Sequence, residues 1–193
     1  MATNVSIANR ALTLAGMKPI VSFSDDSANA KTIKRLYDDS LKSVLSSYPW
    51  SFAIKRVALA LLDESPVFTE NSQKYVYSIP SDCMRVNDLF PVGATGKIED
   101  GKVISDTASL YLRYTYYNDN PHTYFAGFVD AFADHLASEI CYNLTGNATK
   151  GEQLAQKYEN ISLPRAKSSD ASQGDPQELE QDDWVNARFS GAV

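Results

Sequence analysis

Apolar residues in this chain recur at helical spacing near both ends and alternate in the middle. Helical spacing requires a rod with one buried stripe, whereas alternation requires a strand with two unlike faces. Helix, helix, strands, helix, helix is an order that predicts an α+β fold. The expected architecture is a four-helix bundle with a β-rich insertion between helices 2 and 3 and an extended C-terminal arm. The bundle takes residues 1–51 and 119–166, the insertion 52–118 and the arm 167–193. A chain of 193 residues is long enough to bury a core without disulfide or metal staples.

In the first helix Val5, Ala8, Ala11, Leu12 and Ala15 share a face, with Asn4 as the expected cap and Gly16 as the stop. The second runs from about Ser27 to Ser46, with Ile33, Leu36, Tyr37, Leu41, Val44 and Leu45 as its stripe. Pro49 ends it, because the residue before a proline resists the helical region. Asn120-Pro121 offers a cap and a first-turn proline for the third helix. Its stripe is Phe125, Phe128, Val129, Phe132, Leu136, Ile140 and Leu144, and Gly146 closes it. The fourth runs from about Thr149 to Leu163, where Pro164 is expected to stop it.

Between the helices, Val57, Leu59 and Leu61 alternate, Tyr75 to Ile79 is β-rich, and Cys83 to Leu89 reads as another short strand. Asp100-Gly101 between two β-type runs is the strongest hairpin signal in the chain. Leu110 to Tyr117 fills both of its faces with large residues, as a strand packed on both sides would.

Net charge is −6, from 18 basic and 24 acidic residues. Six acids and no Lys or Arg fall between Asp170 and Asp183, so the rest of the chain is balanced. A balanced body does not coat nucleic acid, whose binders present a basic face. Cys83 and Cys141 stand at no metal or redox spacing. The start lacks a basic and an apolar signal region, and no apolar run reaches membrane-spanning length. These features predict a protein made and kept in a cytoplasm, without a membrane partner.

No phosphate loop, dinucleotide fingerprint, nucleophile elbow or zinc helix motif is present. His122 and His135 do not stand at metal-ligand spacing, and His135 beside Asp134 reads as a surface pair. The expectation is therefore a protein that is not an enzyme, with no cofactor, catalytic residue or metal site. Aromatic residues are the more informative feature, with 11 Tyr, 8 Phe and 2 Trp. Tyr75, Tyr77, Tyr114 and Tyr116 crowd the β region, where tyrosines serve either a small core or a protein interface. In the polar arm, Trp184, Val185, Arg188 and Phe189 are the candidate docking residues.

The order of several segments resembles the head-to-tail adaptor (tail tubular protein A) family of tailed bacteriophages. The segments are Ile7-Ala8-Asn9-Arg10-Ala11-Leu12 through Gly16, Pro19 and Ile20, then Asp25-Asp26-Ser27-Ala28-Asn29-Ala30 leading into Leu36-Tyr37. Tyr48-Pro49-Trp50-Ser51-Phe52-Ala53 resembles the family's aromatic turn after the second helix, and Ile79-Pro80-Ser81-Asp82-Cys83-Met84-Arg85 its strand and turn. The third and fourth helices and the closing Asp183-Trp184-Val185-Asn186-Ala187-Arg188 complete the likeness.

The resemblance implies a structural virion protein without a cofactor. Such subunits form a ring, typically a dodecamer, that docks below the portal and joins capsid to tail. It implies as partners the portal protein, neighbouring copies, a downstream tail or nozzle protein, and double-stranded DNA sliding through the lumen. The arm residues Trp184, Val185, Arg188 and Phe189 would meet the portal or a neighbouring subunit. The tyrosines Tyr75, Tyr77, Tyr114 and Tyr116 would face the tail protein. Two other functions stay open on the residues alone: a phage-associated peptidoglycan or polysaccharide hydrolase, and a small regulatory α+β protein.

Overall fold

The structure is a computed structural model that describes residues 2–66 and 74–173. Helix α1 spans Asn4–Ala15 and α2 spans Ala28–Ser46. Thr3, not Asn4, caps α1: its hydroxyl accepts the Ser6 N–H while the Ser6 hydroxyl accepts the Thr3 N–H. Both residue types cap well, and the reciprocal bond decides between neighbours. Gly16 ends α1 in the left-handed region at φ 83°. Ser27, expected as the first residue of the second helix, instead caps it: its hydroxyl accepts the Ala30 N–H.

Helix α3 spans Ala126–Thr145, with Gly146 left-handed at its end. Its start corrects the expectation. Asn120-Pro121 caps a separate 3₁₀ turn, Pro121–Thr123, and α3 begins after Phe125 with no side-chain cap. The last helix is also longer than expected. Helix α4, Ala148–Lys157, runs into a π-helical turn, Tyr158–Ser162, and on into α5, Leu163–Ala171. Pro164 lacks an N–H and its ring would strike the carbonyl of Asn160 in a regular helix. The wide turn, in which the Leu163 N–H bonds the Tyr158 carbonyl, accommodates it. Residues 167–171, expected in the arm, are therefore helical.

The insertion forms two antiparallel sheets. Strands β1 (Ile54–Ala58), β7 (Tyr111–Tyr116) and β4 (Cys83–Phe90) lie in the order β1-β7-β4. Strands β2 (Ala60–Leu61), β3 (Tyr75–Ser78), β6 (Lys102–Ser105) and β5 (Gly96–Glu99) lie in the order β2-β3-β6-β5. The chain passes from one sheet to the other at Leu59, whose N–H bonds the Leu110 carbonyl. The β5–β6 turn is the predicted Asp100-Gly101 pair, both left-handed at φ 49° and 69°, the geometry of a type I′ hairpin.

Two bulges in β4 shift its register against β7. They put Cys83, Val86 and Leu89 on the inner face, a spacing of three instead of two. The inner faces close around Leu59, Tyr77, Val103, Leu110, Leu112 and Tyr114. Strand β7 is covered on both sides only towards its end: on the outer face Thr115 is fully buried, whereas Tyr111 is 52% exposed.

The bundle core runs through α1, α2, α3 and the last helix, with Ile7, Leu12, Ile33, Leu41, Phe128, Phe132 and Leu136 fully buried. Both crossings between bundle and insertion meet at one place. Asn118 Nδ2 donates to the Phe52 carbonyl at 3.1 Å, and the Tyr124 hydroxyl donates to the Asn118 carbonyl at 2.6 Å.

Candidate functional site

The segment Tyr48–Ala53 is the joint of the molecule. Trp50 is fully buried, and its indole N–H donates to the Val44 carbonyl at 2.9 Å. Its ring meets Phe128 edge-on at 5.1 Å, and Phe52 meets the same ring at 4.7 Å. Such pairs add to the area they bury. Ser51 faces the other way. Its N–H, at 3.0 Å, and its hydroxyl, at 2.6 Å, both donate to the buried Asp170 carboxylate at the end of α5. One short segment therefore fixes α2, α3, α5 and the start of β1.

Other described segments that carry the resemblance also make structural ties. The Asn9 side chain donates to the Ile20 carbonyl and accepts the Ile20 N–H, each at 2.8 Å. Asp25 accepts the backbone N–H groups of Val21 and Ser22, which hold its carboxyl below the usual carboxylate range. Asp82 accepts from Lys55 at 2.7 Å and from the Tyr114 hydroxyl at 3.0 Å, joining β1, β4 and β7.

Two polar clusters are built on the bundle helices. The first is a cleft of about 390 Å³ between α3 and the π-helical turn, lined in part by Arg10, Asp130, Asp134, Lys157, Ser162 and Arg165. Asp134 is 3% exposed, accepts from Lys157 at 2.7 Å and also accepts from the Ser162 hydroxyl. Asp130 holds Arg10 at 2.5 Å. Each of these two carboxylates is paired with a cation.

The second cluster links Ser40, Glu139 and His135 in that order. Buried Ser40 donates to Glu139, whose other oxygen lies 3.5 Å from His135 Nε2. Burial raises the Glu139 carboxyl; burial also lowers the His135 imidazole, against the charge of Glu159. A serine nucleophile needs the imidazole as its immediate base. Here the carboxylate stands between them and Ser40 has no exposed surface, so the group ties α2 to α3. The expected Asp134–His135 surface pair is overturned: the two side chains enter separate interior clusters, and His135 lies against the Tyr158 ring at 4.7 Å.

The four candidate tyrosines do not form an outer face. Tyr77 and Tyr114 are 1% and 4% exposed inside the sandwich, and Tyr75 and Tyr116 are half-buried against it. Burial lifts the Tyr114 phenol to about 12, with Asp82 adding to the effect. Their crowding in the β region marked these residues as candidates, but which face is inner depends on strand register. The exposed tyrosines are Tyr111 and Tyr142. Trp184, Val185, Arg188 and Phe189 lie outside the described residues.

Among the described residues no three His, Cys, Asp or Glu side chains converge as metal ligands would, and no helix is long and apolar enough to cross a membrane. No protein-family model matches the chain, and no curated protein matches it.

Proposed function

We propose that this chain is a structural virion subunit of the head-to-tail adaptor kind. Copies of it form a ring, dodecameric as in the family it resembles, that docks below the portal, connects capsid to tail and lines the DNA channel. Its partners are the portal protein, its own neighbours in the ring and the next tail or nozzle protein. Double-stranded DNA passes through the lumen without specific binding. The place of action is the head–tail junction, after assembly in the host cytoplasm.

One observation supports this reading: the resembling segments occur in order along almost the whole chain, and those within the described residues make joints of a single body. Asn9 with Ile20, Trp50 with Phe128, Ser51 with Asp170 and Asp82 with Lys55 are such joints. A shared order of segments is informative when the residues concerned position the elements rather than decorate the surface. Charge supports it too. A body without net basic charge does not hold passing phosphate, and a DNA channel must let its cargo slide.

The test is the mass of the full chain in solution, alone and with rings of its cognate portal, by mass photometry. A ring, or a fixed stoichiometric gain of mass on the portal, is expected. A monomer that leaves the cognate portal unchanged would overturn the reading.

A further inference from the structure

The outer face of the β1-β7-β4 sheet has an excess of cations over acceptors. Arg56 on β1 and Arg113 on β7 are directly opposite in register, and Arg85 on β4 stands on the same face. Like charges directly opposite repel. Asp88 takes one of them, bonding Arg113 Nη1 at 2.9 Å. The Nε–H of Arg113 is buried with no partner among the described residues, and Arg56 and Arg85 make no ion pair there. Guanidinium groups so placed lack the planar carboxylates that match them. Beside them runs a groove of about 370 Å³ whose lining includes Arg56, Ala58, Phe90 and Tyr111. The face therefore suits an acidic segment that ends in an aromatic residue.

This chain carries such a segment. Asp175, Glu178, Glu180, Asp182 and Asp183 lead into Trp184 without an intervening Lys or Arg. Its root is fixed near the face, because Asp170 at the end of α5 is bonded to Ser51, just before β1. Ser51–Ala53 is a 3₁₀ turn leading into β1, so Arg56 lies at most about 17 Å from Ser51. From Gly174 to Trp184 an extended chain reaches up to about 36 Å.

We infer that the C-terminal segment docks in cis on this face. Its carboxylates take Arg56 and Arg85, and Trp184 enters the groove beside Tyr111 and Phe90. A partner that captures the segment would then uncover the arginine face in the same event. The inference does not rest on the adaptor reading, since the contact would form in an isolated subunit whatever its role.

Acrylamide quenching of tryptophan fluorescence in the full chain tests it. Trp50 is fully buried, so the quenchable signal comes from Trp184. The quenching constant should rise roughly threefold in the Arg56→Glu/Arg85→Glu variant and in about 1 M salt, where screening acts beyond about 3 Å. It should not change on dilution. Adding Asp182→Arg/Asp183→Arg to the arginine variant should restore protection, which a misfolded variant would not allow. Full quenching of the wild-type protein at low salt, or protection indifferent to Arg56 and Arg85, would overturn the inference. Protection lost on dilution would also overturn it, by giving the face to a second copy of the chain.

Discussion

Among the described residues the helical bundle buries 26 hydrophobic residues in one continuous core, whereas the β insertion closes around six. A small core leaves little hydrophobic free energy to offset the entropy of ordering its strands. The insertion also leaves Leu61, Val92, Ile98 and Tyr111 exposed. The bundle can therefore be expected to hold its own shape, while the sandwich depends on the joint at Trp50, Phe52 and Asn118. In stability terms the molecule is a strong body carrying a weaker appendage, and that ordering can be tested.

The largest expected effect is at the joint. Trp50→Ala removes a ring that meets Tyr48, Phe52, Phe125 and Phe128. It should cost about 3–5 kcal/mol, read as a lower urea midpoint, and β7 amides should lose exchange protection along with those of α3. If β7 protection survived while α3 loosened, the insertion would be independent and the dependence described above would be wrong. A smaller and more local loss is expected from Leu112→Ala, about 2–5 kcal/mol by the same cavity argument. Amides of β3, β6 and β7 should exchange faster while those of α1 and α3 hold. Equal acceleration in both regions would mean one cooperative unit and erase the contrast.

The same contrast explains what could be read without the structure. In the bundle, one helix face is buried by partners lying along its whole length, so the 3.6-residue period survives in the sequence. Gly16 and Gly146 marked their helix ends because capping is local. Pro164 misled because the π-helical turn that absorbs it has no sequence signature. In the insertion, the bulges of β4 replace the period of two by Cys83, Val86 and Leu89, so its faces could not be assigned. Tyr77 and Tyr114 entered the core for the same reason, through a register that alternation does not specify. The Asp134 cluster was hidden by distance, since Lys157 and Ser162 reach it from a different helix. The arginine face arises only when β1, β7 and β4 pair. The arm candidates Trp184, Val185, Arg188 and Phe189 stand as sequence readings.

Acid should separate the two regions by the smallest of these effects. Asp82 is held below the ordinary carboxylate value of 3.8, first by the Lys55 hydrogen bond and then by the Tyr114 hydroxyl, with burial opposing both. A depressed carboxyl contributes stability that is complete above 3.8 and is lost as pH falls through the lower folded value. The bundle holds an opposed pair. His135, lowered by burial, loses stability as pH falls below its ordinary 6.5, while Glu139, raised by burial, gains it as pH falls towards its ordinary 4.5. The sandwich therefore has no such compensation at Asp82. Hydrogen exchange at about pH 5 and about pH 3 should show β1 and β7 amides losing protection before those of α3. Asp82→Asn keeps an oxygen for the Tyr114 hydroxyl and removes the titrating charge, so it should flatten that acid limb. An unchanged limb in Asp82→Asn would show that Asp82 does not carry the acid sensitivity of the sandwich.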